Sequence, residues 1–392
     1  MSHIVYTECS GGRWFNRAFA GLSVVLGLGA LSALYMETNG HVVSGMNNSV
    51  VWGTPHVFAI FLILVASGVL NIASLGSVFG EMGYKPKARL SSVMAITFLI
   101  GGLAVLVLDL GRPDRLTVAM TNYNFRSIFA WNVFLYTGFL VVVAGYVVAQ
   151  MTRVWEGYVK PIGLAAFLWR LTLTTGTGSI FGFLVARSGY GTAVMAPQFI
   201  AMSLAYGLAV FILIRLLLHD ASPDRRLDDA LLARLARLLV IFVGSVLYFT
   251  GVAHFTAIFS PERVEYEAWI LLGGGYFTAL LWVGYVILGS LVPMIMLYGR
   301  AAPSRRAVGI GAALVVLGGF ALLWVIIIGG QVFPMRLFPG MEVTSSFGDG
   351  VVASYVPSLP ELGLGLGGVA LALLATMIAL KLFKLLPREE AE

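Results

Sequence analysis

Three residues that can exchange protons stand at the ends of long apolar stretches in this sequence. His56 opens one stretch, Asp109 closes another, and His254 lies near the end of a third. An imidazole and a carboxylate are the side chains that most often carry general acid–base catalysis. Tyr123, in the short connection after Asp109, is a further candidate. Structural roles are the alternatives to proton exchange: His56 could be an ordinary interfacial residue, and Asp109 could pair with Arg112 at the helix end.

The elements that carry these residues are apolar stretches long enough to cross a bilayer. Of the 392 residues, 59% are hydrophobic and 11% are charged, and the mean hydropathy is +0.90. This balance excludes a soluble globular domain. Because about 20 helical residues span the hydrocarbon core, the sequence predicts an all-α fold, a polytopic transmembrane bundle of about ten helices in a single integral membrane domain over residues 1–392. The expected spans are 17–36, 55–79, 90–109, 128–151, 161–186, 197–219, 236–260, 268–298, 307–330 and 361–386.

The basic residues are distributed unevenly between the two sides of this bundle. Seventeen fall on the side of the chain ends, namely Arg13, Arg17, Lys85, Lys87, Arg89, Arg153, Lys160, Arg225, Arg226, Arg234, Arg237, Arg300, Arg305, Arg306, Lys381, Lys384 and Arg388. Six fall on the opposite side, namely Arg112, Arg115, Arg126, Arg187, Arg263 and Arg336. By the positive-inside rule, both termini are cytoplasmic in a prokaryotic inner membrane. The net charge of +6 is therefore a topology signal and not a nucleic-acid footprint.

With this topology, His56, Asp109, Tyr123 and His254 all lie at the outer membrane surface, and Glu361 joins them at the start of the last span. The longest outer connections are 37–54 and 331–360. On the inner side, residues 224–237 are typical of an amphipathic entry into a helix. The first span is expected to be an uncleaved anchor. The single cysteine, Cys9, excludes an internal disulfide and an iron–sulfur cluster held by this protein alone, since such clusters need about four thiolates.

Arg170 lies near the middle of the fifth expected span, and Thr174 and Thr177 follow it at helical spacing. A guanidinium at this depth costs several kcal/mol unless it faces polar groups or water. We expect these residues to line a polar or hydrated path; the alternative is a structural contact between helices. The glycines at 273–275 and 318–319 are expected to allow close helix packing.

Three segments of the sequence resemble one family of membrane proteins. They are the D-L-G-R-P string Asp109–Pro113, the segment Ser127–Asn132 that opens the next span, and Tyr355–Glu361 before the last span. On these residues the sequence resembles the NrfD/PsrC family, the membrane subunits of polysulfide-reductase-like complexes. Within that family it is most similar to the DsrP-type subunits of the sulfite-reduction-associated DsrMKJOP complexes. The resemblance extends over most of the sequence.

The resemblance implies that the protein binds a membrane quinone, menaquinone or ubiquinone, as its substrate. It further implies electron exchange with a periplasmic iron–sulfur protein, alongside further membrane and cytochrome subunits of a Dsr-type complex in sulfur metabolism. Subunits of this kind carry no redox cofactor of their own. The head-group pocket then carries over onto His56, Asp109 and His254, with Tyr123 as a lesser candidate.

Two other classes of membrane protein remain open at this point. A haem b cytochrome subunit needs paired axial histidines, and His56 and His254 are the histidines expected near the outer membrane layer. A two-haem relay across the membrane is therefore excluded, and we expect no haem and no metal site. A secondary transporter could use Arg170 and the threonines after it, but the spans carry no carboxylate at mid-depth for ion coupling.

Overall fold

Long apolar helices run back and forth through the computed structural model, which describes residues 4–9, 11–221, 228–299, 303–335 and 350–387. The α-helices are α1 Arg13–Asn39, α2 Thr54–Ser77, α3 Ala88–Leu108, α4 Leu116–Thr121, α5 Ile128–Met151, α6 Val159–Gly182, α7 Met195–Ala221, α8 Asp229–Ile258, α9 Val264–Ala268, α10 Tyr276–Ala279, α11 Val292–Leu297, α12 Arg305–Trp324, α13 Gly330–Val332 and α14 Leu359–Leu382. Short 3₁₀ turns occupy His41–Val43, Met82–Lys87, Pro113–Arg115 and Arg153–Tyr158, and π-helical stretches occupy Trp269–Gly273, Leu280–Leu291 and Val325–Gly329.

Within these described ranges, nine helical segments are long and apolar enough to cross a membrane. The helix α6 has a similar length of 24 residues but contains Arg170 and several threonines, which lower its hydropathy. The expected class, a polytopic helical membrane protein, is confirmed.

The expected stretch 268–298 is not one continuous helix. Its first part ends at the glycines after Leu272, where Gly275 has a φ of +59°, and α10 begins at Tyr276. Thr278 closes this break, because its hydroxyl accepts from the amide of Gly274 (3.0 Å) and donates to the carbonyl of Ile270 (2.9 Å). The glycines at 273–275 therefore interrupt the span, and the expectation that they serve close packing is wrong.

Two other expectations fall partly outside the described residues. The amphipathic stretch 224–237 is described from Asp228 onward, where the Asp228 carboxylate accepts from the amide of Ala230 and α8 begins at Asp229. Of the outer connection 331–360, residues 336–349 lie outside the described ranges.

The helix α2 lies at the centre of the bundle and packs against α3, α6, α7, α12 and α14. Small residues permit these close crossings. At the crossing of α2 with α7, a Cβ atom on Gly68 would overlap the carbonyl of Ser203. Gly318 similarly packs against Gly289, in agreement with the prediction for this glycine pair. The core is therefore centred on α2, the helix that carries His56 at its start.

The first and last described segments meet on one side of the bundle. The strands β1 (Tyr6–Thr7) and β2 (Leu386–Pro387) form an antiparallel pair, in which Tyr6 lies opposite Pro387. The Arg89 guanidinium, at the start of α3, lies 3.8 Å from the centre of the Tyr6 ring. The starts of α2, α7 and α14 and the ends of α3 and α8 therefore lie at the opposite side, which we call the site end.

Candidate functional site

At the site end, α2 and α3 bring His56 and Asp109 together. Pro55 lies in the first turn of α2 and Asp109 is the C-cap of α3, and the His56 Nδ1 atom lies 2.6 Å from Asp109 Oδ2. The Asp109 side chain is 0% exposed and that of His56 is 16% exposed. The contact is close enough for an ion pair but is not aligned as a hydrogen bond. The alternative pairing of Asp109 with Arg112 is wrong, because Arg112 binds the exposed Asp114 through two hydrogen bonds of 2.8 and 2.9 Å.

An aromatic wall beside His56 is formed by Trp52, whose ring stacks on the imidazole with a centroid distance of 5.9 Å. The backbone of this residue is held by the buried amide of Gln331, which accepts from the Trp52 amide (3.0 Å) and donates to its carbonyl (2.9 Å). Phe181 and Tyr190 contact the other sides of the indole ring. Residues from both halves of the sequence therefore fix this wall.

Glu361, which the topology also assigns to this end, is buried and has a different role. One carboxylate oxygen accepts from the amides of Gly45 (2.8 Å) and Ser358 (2.7 Å), and the other accepts from the Tyr355 hydroxyl (2.7 Å). The same hydroxyl accepts from the Thr54 amide (2.6 Å), at the start of α2. Burial, and to a lesser degree Glu361, raises the pKa of Tyr355, so the phenol stays protonated and donates. Through these bonds, Glu361 holds the connection that contains Gly45 and the connection that contains Tyr355 close to the start of α2, the helix that carries His56.

The third candidate, His254, is paired with an acid that the sequence analysis missed. Its Nδ1 atom lies 2.7 Å from Oε2 of Glu267, which α9 presents after the turn that follows α8. The Glu267 side chain is buried, and that of His254 is 22% exposed. The only signal in the sequence is the closeness of Glu267 to the end of the preceding span.

His254 and Glu267 border a cleft that is partly open to solvent. Polar groups from several elements line it, namely Ser188, Thr192, Gln198, Thr250 and Arg263, together with apolar residues of α7, α8 and α12. Gln198 is nearly completely buried, and no sequence signal distinguishes it from the apolar residues around it. Neither His56 nor Asp109 lines this cleft. His56 and His254 therefore contact different carboxylates at the site end, those of Asp109 and Glu267.

Tyr123 lies in an aromatic cluster that joins the connection before α5 to the first turns of α5. Its ring centre is 4.3 Å from that of Phe134 and 6.1 Å from that of Phe125. Phe125 also packs on Trp131. These contacts place Tyr123 beside the start of α5, where the backbone emerges from the α4 segment.

The residues of the expected polar path lie in a buried seam between α2, α5 and α6. Arg170 is 2% exposed, and its guanidinium donates to Oδ1 of Asn71 (3.0 Å). Its Nε and Nη1 atoms have no hydrogen-bond partner in the part of the protein that the structure describes, and the guanidinium lies over the Phe167 ring at 5.0 Å from its centre. One turn on, the Thr174 hydroxyl lies 2.6 Å from that of Ser67, and Thr177 donates to a backbone carbonyl of its own helix. Polar contacts therefore continue from the middle of the bundle toward the site end.

The fold and these contacts define a polytopic helical membrane protein with two acid–imidazole pairs at one end, each with a buried carboxylate. The chain matches the polysulphide reductase NrfD family over residues 42–335 and belongs to that family. It is 29% identical over 381 residues to the Hdr-like menaquinol oxidoreductase integral membrane subunit of Archaeoglobus fulgidus, over 94% of this chain and 95% of the relative. It is 22% identical to a subunit of the selenate reductase of Mesobacillus selenatarsenatis, over 93% of each protein. It is also 24% identical to the protein NrfD of Escherichia coli, over 63% of this chain and 84% of the relative.

Proposed function

We propose that this protein is the quinone-binding membrane subunit of a prokaryotic respiratory oxidoreductase complex. Its relatives include a subunit of a menaquinol oxidoreductase and a subunit of a selenate reductase, which supports this assignment. The substrate is menaquinone or ubiquinone, in its oxidised or reduced form. The observation that carries the proposal is the pair of acid–imidazole contacts, His56 with Asp109 and His254 with Glu267, at one end of the bundle.

Quinone chemistry moves two electrons and two protons, so a head-group site needs groups that hydrogen-bond ring oxygens and exchange protons. His56, Asp109 and His254 are the residues proposed for this role, and Tyr123 is a lesser candidate. Trp52 supplies a flat aromatic surface beside His56. At the membrane level of these residues, the isoprenoid tail of the quinone can stay in lipid.

The electrons must come from or go to a partner, because a protein with one cysteine cannot hold an iron–sulfur cluster by itself. The partner we propose is an iron–sulfur protein that docks on the site end, over the connections 37–54, 110–127 and 331–360. This end is the periplasmic one in the proposed topology, and both termini are cytoplasmic. A Dsr-type complex of sulfur metabolism is the assembly that the sequence resemblance favours.

The seam of Arg170, Thr174 and Thr177 is proposed as a polar or hydrated path within the same subunit. Support comes from two guanidinium nitrogens of Arg170 that lack a hydrogen-bond acceptor among the described side chains and backbone. A buried cationic group with unpaired N–H donors is costly unless it meets acceptors such as water.

The assignment is tested by replacing Asp109 with asparagine, which keeps the shape of the side chain and removes its titratable charge. Because general acid–base catalysis typically contributes about 10²–10⁴-fold, we expect Asp109→Asn to slow quinol turnover by a factor in this range while the complex still assembles. His254→Ala should lose quinone binding in addition to quinol turnover. Glu156→Gln is the control, since that carboxylate is exposed at the opposite end of the bundle. Normal assembly and parental turnover in both Asp109→Asn and His254→Ala would place the pocket elsewhere.

A further inference from the structure

The cleft beside His254 presents hydrogen-bond acceptors whose orientation the surrounding network determines. The hydroxyl of Thr250 donates its single hydrogen to the carbonyl of Val246 (2.8 Å). Its oxygen can then only accept, and its two lone pairs face the Gln198 amide (3.0 Å) and the Tyr285 hydroxyl (3.2 Å). The group of Gln198 that points at Thr250 must therefore be the NH₂ group.

This assignment leaves the Gln198 carbonyl oxygen, Oε1, as the group that can accept from a ligand, and Gln198 lines the cleft. Oε1 has no hydrogen-bond partner among the residues that the structure describes, although Gln198 is only 2% exposed. A buried acceptor without a donor is costly. The cleft therefore favours a ligand that donates a hydrogen bond to this oxygen.

His254 contributes a second acceptor to the same cleft. Its Nδ1 atom is 2.7 Å from the buried Glu267 carboxylate, an arrangement in which Nδ1 carries the proton and donates. In a neutral imidazole the other ring nitrogen, Nε2, is then an acceptor. Glu267 acts here as a positioning residue, because it sets which nitrogen of His254 carries the proton.

On the basis of the proposed function, we infer that the cleft lined by Gln198 and His254 binds the reduced, hydroquinone form of the substrate in preference to the quinone. A hydroquinone ring carries two hydroxyl donors, which match two acceptors. A quinone carries carbonyl oxygens only, so it would leave Gln198 Oε1 unpaired and face it with another acceptor. Sites built around a substrate hydroxyl discriminate strongly against analogues that lack it, for this reason.

The inference is tested with menadiol and menadione as the two probes, which share one ring system and differ in redox form. Binding is measured by anaerobic titration calorimetry on the full-length protein in detergent, without redox partners, so that neither form is turned over. We expect the parent protein to bind menadiol at least about 10-fold more tightly than menadione. Gln198→Leu should weaken menadiol binding about 5- to 10-fold and change menadione binding by no more than about 2-fold.

Two further variants test whether the preference for menadiol depends on the orientation of the Gln198 amide. Thr250→Val removes the hydroxyl that holds the Gln198 amide in one orientation, so the preference for menadiol should fall toward parity. Gln150→Leu is the matched control: Gln150 also has an unpartnered Oε1 and an NH₂ group bound to a hydroxyl, that of Ser92 (3.1 Å), but lies at the far end of α5. It should leave both affinities unchanged. Thermal unfolding of each variant confirms that it is folded.

Equal binding of the two probes by the parent protein, or equal weakening of both in Gln198→Leu, would refute the preference for the reduced form while leaving the proposed function intact. The proposed function itself fails if the parent protein binds neither probe and the Asp109→Asn complex turns over quinol at the parental rate. In that case the present inference fails with it.

Discussion

Removing the Glu361 carboxylate should release the connections that hold the start of α2. The side chain is 0% exposed and accepts three hydrogen bonds, from the amides of Gly45 and Ser358 and from the Tyr355 hydroxyl. In Glu361→Ala the Tyr355 hydroxyl can turn to the Thr54 hydroxyl 2.8 Å away, so two amides remain without a partner. At about 1.5–3 kcal/mol for each bond to a charged acceptor, the free energy of unfolding should fall by about 3–6 kcal/mol.

The assay is denaturant-induced unfolding of the purified protein in mixed micelles, with a graded series of variants. Tyr355→Phe removes one of the three bonds to Glu361 and leaves the Thr54 amide unpaired, so it should cost about 1–3 kcal/mol. Glu156→Ala removes an exposed carboxylate at the opposite end and should stay within about 0.5 kcal/mol of the parent protein. A loss below about 1 kcal/mol in Glu361→Ala, or a loss in Tyr355→Phe as large as in Glu361→Ala, would refute this reasoning.

Two further predictions concern topology and the buried seam. In a Cys9→Ser background, a cysteine that replaces the exposed Asn48 at the site end should react with impermeant maleimide on intact cells and crosslink to the iron–sulfur partner. A cysteine that replaces Glu156, at the opposite end, should do neither. The reverse pattern would overturn both the proposed orientation in the membrane and the proposed docking face. Arg170→Met should leave quinone binding within about 2-fold of the parent protein but slow proton uptake in proteoliposomes at least about 10-fold. Unchanged proton uptake in this variant would show that the seam is only structural.

The helices were predictable because length and apolarity alone identify a membrane span. The break inside 268–298 was not, because glycine serves both close packing and positive φ, and only the φ of +59° at Gly275 shows which use applies. Hydropathy likewise cannot show that α2 occupies the centre, since several spans are apolar on all sides and carry no pattern that identifies an inner face.

The depth of the candidate residues followed from counting helices, but their lateral neighbours did not. Asp109 has a nearby potential partner in sequence, Arg112, and the structure instead pairs it with His56 across two helices. Glu267 and Gln198 escaped the sequence analysis because their roles depend on which helices stand side by side around the cleft. Such lateral order depends on packing between helices, which no single span encodes.

The connection between α6 and α7 links the two acid–imidazole pairs. On one side, Arg187 donates to the carbonyls of Gln331 (2.6 Å) and Ser49 (2.7 Å), next to the loop that carries Trp52. On the other side, Ser188 and Gly189 line the cleft of His254. Tyr190 follows immediately and contacts the Trp52 ring. Four consecutive residues, 187–190, therefore border the surroundings of both pairs.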